Sequence, residues 1–201
     1  MTAISFVILI SAAGASSRFG APKALAQWGN GTLLSHAVEA AASVANAKPL
    51  VVLGAHAEKL RPALGDTESV FNPDWAQGLG TSIACGANAA LIKYSGLSAL
   101  AVLPIDQPRV TGKHLGHLIH TAVRIQRCAV TRDNDIWGPP AAIPATYFPI
   151  LQNLTGNQGL KSVLKAQDCI FCDAPGMLDD IDTPENLDRL RSIMPSKRQT
   201  A

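Results

Sequence analysis

The chain reads as a three-layer α/β fold with a mainly parallel sheet, and three observations predict it. Short β-rich runs alternate with stretches of helical spacing along the chain. The runs are almost continuously apolar, as strands covered on both faces are. At 201 residues the chain also suits one domain, large enough to bury its own core without staples.

The elements follow in order. Residues 4–10 form an apolar run suited to a buried strand, and the small residues Ala12 to Gly14 follow it. Thr32 caps a helix on which Leu33, Leu34, Ala37, Val38, Ala41 and Val44 recur at helical spacing. Residues 49–53 read as a strand, 58–64 as a short helix and 69–72 as a brief strand. A glycine-rich turn at 77–80 precedes a helix opened by Thr81 or Ser82. Residues 99–103 form the fourth strand, which runs into Pro104-Ile105-Asp106-Gln107-Pro108 before a helix over 112–126. Beyond Cys128 strands are expected at 129–131 and 141–143, with Trp137-Gly138-Pro139-Pro140 between them. Gly156-Asn157-Gln158-Gly159 precedes a short helix to about residue 166, and 169–172 read as the last strand. Thr183 caps a final helix with Pro184 at its first position. No repeat is present, residues 1–194 read as one domain, and 195–201 are expected to be a flexible tail.

Composition narrows the class. The net charge is +2 with 16% charged residues, and the scattered cations form no basic stripe, which argues against nucleic acid as a partner. Mean hydropathy is +0.16 and no apolar run approaches bilayer length, which argues against the membrane. The apolar run before small residues has the look of an export signal, but no Lys or Arg precedes Arg18, so a cytoplasmic protein is expected. Four irregularly spaced cysteines suggest reduced thiols. Cys169-Ile170-Phe171-Cys172 is a Cys-x-x-Cys without the second half of a zinc site, and on a strand its two thiols face opposite ways. His114, His117 and His120 share a spacing of three, and a solvated helix face is the expected reading.

The chemistry concentrates at strand ends. Ser11-Ala12-Ala13-Gly14-Ala15-Ser16-Ser17-Arg18-Phe19-Gly20-Ala21-Pro22-Lys23 carries two cations among small residues, the build of a polyphosphate cradle. Its backbone can approach an anion closely, Arg18 offers a forked donor and Lys23 a point charge. The loop is neither a Walker motif nor a dinucleotide fingerprint. Asp106, pinned between two prolines at a strand end, is a candidate ligand for a hard cation; Asp182, ahead of a capped helix, is the second. Open sheets bind ligands beyond the carboxyl ends of their strands, which makes the cradle and Asp106 neighbours.

These segments resemble the motifs of the MobA-like nucleotidyltransferases. The first loop looks like Leu-Ala-Ala-Gly-x-Ser-x-Arg-Met-Gly-x-x-Lys, with Ser11 and Phe19 departing. Asn72-Pro73-Asp74-Trp75 through Ser82 resembles Asn-x-x-Trp-x-x-Gly-x-x-x-Ser, Asp106-Gln107-Pro108 resembles Asp-Gln-Pro, and Asp180 to Glu185 resembles Asp-Ile-Asp-Thr-Pro-Glu, with Asn186 where the family has Asp. Gly138-x-Pro140 and Gly156 to Lys161 are weaker matches, the latter with Lys161 for Arg. The likeness spans roughly residues 4 to 190 and is closest to the molybdenum cofactor cytidylyltransferase branch.

The resemblance implies a Rossmann-like, GT-A-like nucleotidyltransferase fold in which residues 1–110 bind the NTP and 111–194 the acceptor. It implies nucleotide binding by Ala12, Ala13, Gly14, Ala15, Arg18, Lys23, Gly78 and Ser82, with Trp75 left to packing. Arg18, Lys23 and Asp106 are implied to be catalytic, Asp106 and Asp182 to hold Mg2+, and Gln107, Gly138, Pro140, Gly159 and Lys161 to meet the acceptor. The implied reaction transfers CMP from CTP to a molybdopterin-type acceptor and releases pyrophosphate. Ala13 suits the Ala-Ala-Gly of the cytidylyl enzymes. The same branch includes oxidoreductase assignments, so a nucleotide-binding oxidoreductase or a molybdenum cofactor carrier is the alternative, and a molybdoenzyme is a conceivable partner.

Overall fold

The computed structural model describes residues 4–193, so the tail expected at 195–201 lies outside the described residues. Seven strands form one sheet: β1 (Phe6–Ala12), β4 (Pro49–Leu53), β5 (Glu68–Phe71), β6 (Ala99–Pro104), β7 (Ala129–Asp133), β8 (Ile136–Pro144) and β9 (Ile170–Asp173). The order across it is β5-β4-β1-β6-β8-β7-β9. All neighbours are parallel except β8, which runs antiparallel to both β6 and β7. The mainly parallel α/β sheet is thus as expected. The first loop adds a small hairpin, β2 (Gln27–Trp28) and β3 (Gly31–Thr32), which periodicity did not reveal because each strand is two residues long.

Helices α1 (Leu33–Ala42), α2 (Ala57–Leu60), α3 (Leu79–Lys93), α4 (Gly112–Ile125), α5 (Phe148–Gln152), α6 (Leu160–Leu164) and α7 (Pro184–Ser192) flank the sheet. Two apolar cores result. One packs the Ile8 face of β1 against α1, α4 and α7, and the other packs the Leu9 face against α3, α5 and α6. Thr32 and Thr183 cap α1 and α7 as expected, each in a reciprocal box with the residue three positions on, Ser35 and Asn186.

Three expectations are corrected. Helix α3 starts at Leu79 from Gly78 (φ 131°), so Thr81 and Ser82 lie inside its first turn. Trp137 to Pro140 sit within β8, because a register shift between Val130 and Thr131 leaves Pro139 and Pro140 in a bulge where no ladder N–H is needed. The segment 58–64 is a short α-helix continued by a 3-10 turn at Arg61–Ala63.

The histidine helix also departs from expectation. His117 and His120 are exposed, but His114 is buried. Thr131 Oγ1 donates to Pro140 O at 2.7 Å, so His114 Nε2 at 2.9 Å is the donor to that hydroxyl. Burial, with His117 nearby, lowers the His114 pKa from its ordinary 6.5 to about 4. Between those values the unfolded chain takes up a proton that the folded chain refuses. This contribution to stability is therefore complete above about pH 6.5 and lost as pH falls toward 4. Urea unfolding at pH 7.5 and pH 4.5 is expected to show a loss on the order of 2 kcal/mol from this group. The His114→Gln variant should lack that component of the slope.

Candidate active site

The cradle loop is shaped by its own backbone. Ser16 takes a left-handed conformation (φ 55°), and its carbonyl accepts from the amides of Phe19 at 2.9 Å and Gly20 at 3.1 Å. Its hydroxyl accepts from the Lys23 amide at 3.2 Å. That turn sends Lys23 back toward the sheet. Among the described residues, none accepts a hydrogen bond from the backbone amides of Gly14, Ala15, Ser16, Ser17 or Arg18, which leaves five donors for an anion.

The loop after β4 braces the cradle. Ala55 N donates to Ala13 O at 3.0 Å, and His56 Nε2 donates to Ala15 O at 3.0 Å. A Cβ on Gly54 would strike the Ala13 carbonyl and lie 2.7 Å from Trp75 Cβ, so only glycine lets the two loops close to this distance. Next to them Asn72 is buried: its Nδ2 donates to Thr81 Oγ1 and Ser82 Oγ, both at 3.0 Å, and its Oδ1 accepts from Asp74 N at 3.0 Å. One amide side chain thereby ties β5 to the start of α3.

The two carboxylates converge from distant parts of the chain. Asp106 follows β6, and its carbonyl accepts from Ile181 N at 2.9 Å, which lays the segment ahead of α7 beside it. Asn186 Oδ1 accepts from the amides of Asp182 and Thr183 at 3.3 Å, fixing Asp182 at the helix entrance. Lys23 Nζ then lies 2.8 Å from Asp106 Oδ2 and 3.3 Å from Asp182 Oδ1, while Arg18 Nη1 lies 3.0 Å from Asp182 Oδ2. The Lys23 side chain is only 13% exposed, whereas that of Arg18 is 74% exposed.

Above this cluster opens a cleft of ≈ 380 Å³, a size suited to a small-molecule ligand. Its polar lining comes from Ser11, Ser16, Ser17, Arg18, Lys23, Asp106 and Asp182, with Ala12, Gly14 and Pro104 among them. His56, Leu60, Leu79, Ile83, Pro139 and Leu160 also line it. Two carboxylates that already share one cation are a hard-oxygen donor pair suited to a divalent metal, with ligand phosphates completing the shell. Among the described residues no group of three or more His, Cys, Asp or Glu is placed to hold a metal unaided.

Of the residues singled out in the sequence, Ala12, Gly14, Arg18, Lys23, Asp106 and Asp182 meet at this cleft. Ala13 is buried instead, its methyl turned toward Gly54. Ser82 departs most: at 3% exposure its hydroxyl is held by Asn72 in the interior. Gly78 packs on Gly156 and Asn157, where a Cβ would collide. Leu79 and Ile83, one residue along from each, face the cleft in their place.

On the far side Pro140 is buried, and Pro139 lines the cleft. Gly159 precedes Leu160, which lines it. Exposed Lys161 holds its ammonium 5.0 Å from the Trp137 ring centre, with Cδ 3.9 Å from the position of a Cβ on Gly138. Gln107 is buried: its Nε2 donates to Asp180 Oδ1 at 2.9 Å, while its Oε1 has no hydrogen-bond partner among the described residues. The motif flagged Asn72 without giving its role, and the sequence carried no strong signal for His56, whose partner Ala15 lies 41 residues away.

Residues 8–170 match the model of the MobA-like NTP transferase domain. The chain belongs to this family. Nicotine blue oxidoreductase of Paenarthrobacter nicotinovorans is 31% identical over 90% of this chain and 94% of its own. Purine catabolism protein PucB of Bacillus subtilis (strain 168) is 32% identical over 60% of each chain, so the match spans less than two thirds of that relative. The crystal structure of Rv0371c from Mycobacterium tuberculosis H37Rv superposes with a TM-score of 0.81 at 24% identity, over 95% of this chain and all of that one. A second structure of Rv0371c is a complex with manganese (TM-score 0.79, 22% identity, 94% of this chain and 100% of that one). The relatives this chain resembles in sequence thus carry names that describe different chemistry.

The cluster makes a direct prediction. In Lys23→Met the two carboxylates lose the cation between them and repel. Mn2+ binding without nucleotide, measured by electron paramagnetic resonance, is expected to tighten on the order of ten-fold. A second substitution, Asn72→Ala, should destabilise the fold by about 2 kcal/mol in thermal unfolding, because it leaves the Thr81 and Ser82 hydroxyls short of a buried partner.

Proposed function

We propose that the protein is a metal-dependent nucleotidyltransferase that joins a nucleoside monophosphate from an NTP, CTP by motif resemblance, to a phosphate-bearing acceptor of molybdopterin type. The observation that carries this reading is the convergence of Lys23, Arg18, Asp106 and Asp182 beneath the cradle: cations for phosphates and carboxylates for a metal at one point. A phosphate oxygen of the acceptor attacks the α-phosphorus, the bond to the bridging oxygen breaks, and pyrophosphate leaves. No covalent enzyme intermediate is needed.

The chain supplies alignment and charge. The amides of Gly14 to Arg18 and the side chains of Arg18 and Lys23 take the β- and γ-phosphates and then the departing pyrophosphate. Leu79 and Ile83 form an apolar wall for the nucleoside, with Gly78 and Ser82 acting behind it by shaping that wall. Pro139, Leu160 and Lys161 face the acceptor, with Gly138, Pro140 and Gly159 holding their backbone and buried Gln107 bracing Asp180 behind them. A magnesium ion on Asp106 and Asp182 would neutralise charge on the reacting phosphates. Residues 1–110 thus serve the NTP and 111–194 the acceptor in the cytoplasm, and a molybdoenzyme could receive the product.

The 31% identical relative named an oxidoreductase favours a second reading, a redox or carrier protein on the same fold. Two converging carboxylates have no evident use in hydride transfer, which favours the transferase.

The deciding experiment measures pyrophosphate release from CTP, GTP, ATP and UTP with Mg2+, with and without molybdopterin. Release from one nucleotide, dependent on both metal and acceptor, is expected. Asp106→Asn should lower it on the order of a hundred-fold or more while leaving the circular dichroism spectrum unchanged. Silence with all four nucleotides from a protein that binds nucleotide or pterin would overturn the transferase in favour of the second reading.

A further inference from the structure

The Cys-x-x-Cys of the sequence is not the thiol pair that the fold makes. Cys169 and Cys172 face opposite sides of the sheet, Cys172 in the core beneath α4 and Cys169 against the other core. The strand register sets Cys169 beside Cys128 instead. Ala129 of β7 lies opposite Ile170 of β9 in parallel pairing, and the ladder continues one residue earlier through Ile170 N donating to Cys128 O at 2.8 Å. Both thiols therefore leave one face of adjacent strands. Such strands stand about 4.8 Å apart, within the Cα separation that a disulfide needs.

The two thiols are free and unequal. Cys128 is buried, whereas Cys169 is partly exposed and its thiol donates to Leu164 O at 3.4 Å. The Cys128 thiol beside it holds the Cys169 pKa below the ordinary thiol value, with Arg127 adding to the effect. Cys169 and burial together push the Cys128 pKa up. A partly exposed sulfur that ionises more readily than its buried neighbour is an attacking and resolving arrangement. The pair sits where β7 and β9 begin, at the sheet edge opposite the one where β1 and β6 end at the cleft.

We propose that Cys128 and Cys169 form a dithiol modification site for hydroperoxides. The Cys169 sulfur attacks the O–O bond of hydrogen peroxide, giving a sulfenic acid and hydroxide. The Cys128 sulfur then attacks the Cys169 sulfur, its proton leaves with the sulfenic oxygen as water, and a Cys128–Cys169 disulfide closes. The two thiols give up two electrons and the peroxide is reduced to two waters once hydroxide is protonated.

The test exposes the purified chain to a modest excess of hydrogen peroxide, blocks remaining thiols with N-ethylmaleimide after unfolding, and maps peptides by mass spectrometry. The expected result is loss of two of the alkylatable thiols, a mass decrease of about 2 Da, and a dithiothreitol-reversible link between the peptides bearing Cys128 and Cys169. Cys172→Ala should form the same link. In Cys128→Ala, Cys169 should retain oxygen and become reactive to dimedone without cross-linking. A Cys169–Cys172 link, oxygen retained on Cys169 while Cys128 stays alkylatable in the unsubstituted chain, or four unreacted thiols would each overturn the proposal.

Discussion

The ammonium of Lys23 between Asp106 and Asp182 is the contact on which the arrangement of this molecule turns. It joins the loop after β1, the end of β6 and the entrance to α7, segments 83 and 159 residues away from the lysine. No single charge pair at this depth contributes much net stability, because each ion loses hydration on entering it. The cluster is better understood as a means of holding unlike charges at one point. The backbone does the positioning: the Ser16 turn aims Lys23, the Ile181–Asp106 hydrogen bond lays the last segment beside β6, and Asn186 fixes Asp182.

The sheet explains why the cluster lies at a cleft. β1 and β6 are adjacent and parallel, so both loops leave the same edge. β8 then reverses direction beside β6, and its bulge carries Pro139 to the cleft from the opposite flank. Thr131 and His114 anchor that bulge from below through the Pro140 carbonyl. The two flanks proposed for nucleotide and acceptor would thus be built from different kinds of strand pairing within a single sheet.

Much of this was legible in the sequence because it is local. Apolar runs, helix caps and the small-residue loop are written in neighbouring residues, and they located the seven strands of the main sheet and the caps of α1 and α7. What failed depended on direction or on distant partners. Nothing in the spacing of Gly78 and Ser82 says that the serine turns inward to Asn72 while Leu79 and Ile83 turn outward. His114 read as a surface residue because its partner, Thr131, lies on another element. The prolines of β8 read as a break because a bulge that accommodates them has no local signature.

The resting cluster has one consequence for how ligands arrive. Both cations suited to phosphate are already committed to the carboxylates suited to metal. On the proposed function, substrate entry is a swap of partners: each ion pair that opens is replaced by another, and the tally of unlike-charge contacts is conserved. A triphosphate without metal, or metal without triphosphate, offers only half of that swap and strands the released groups. On that reading the site favours the two together, a form of coincidence detection achieved with four side chains.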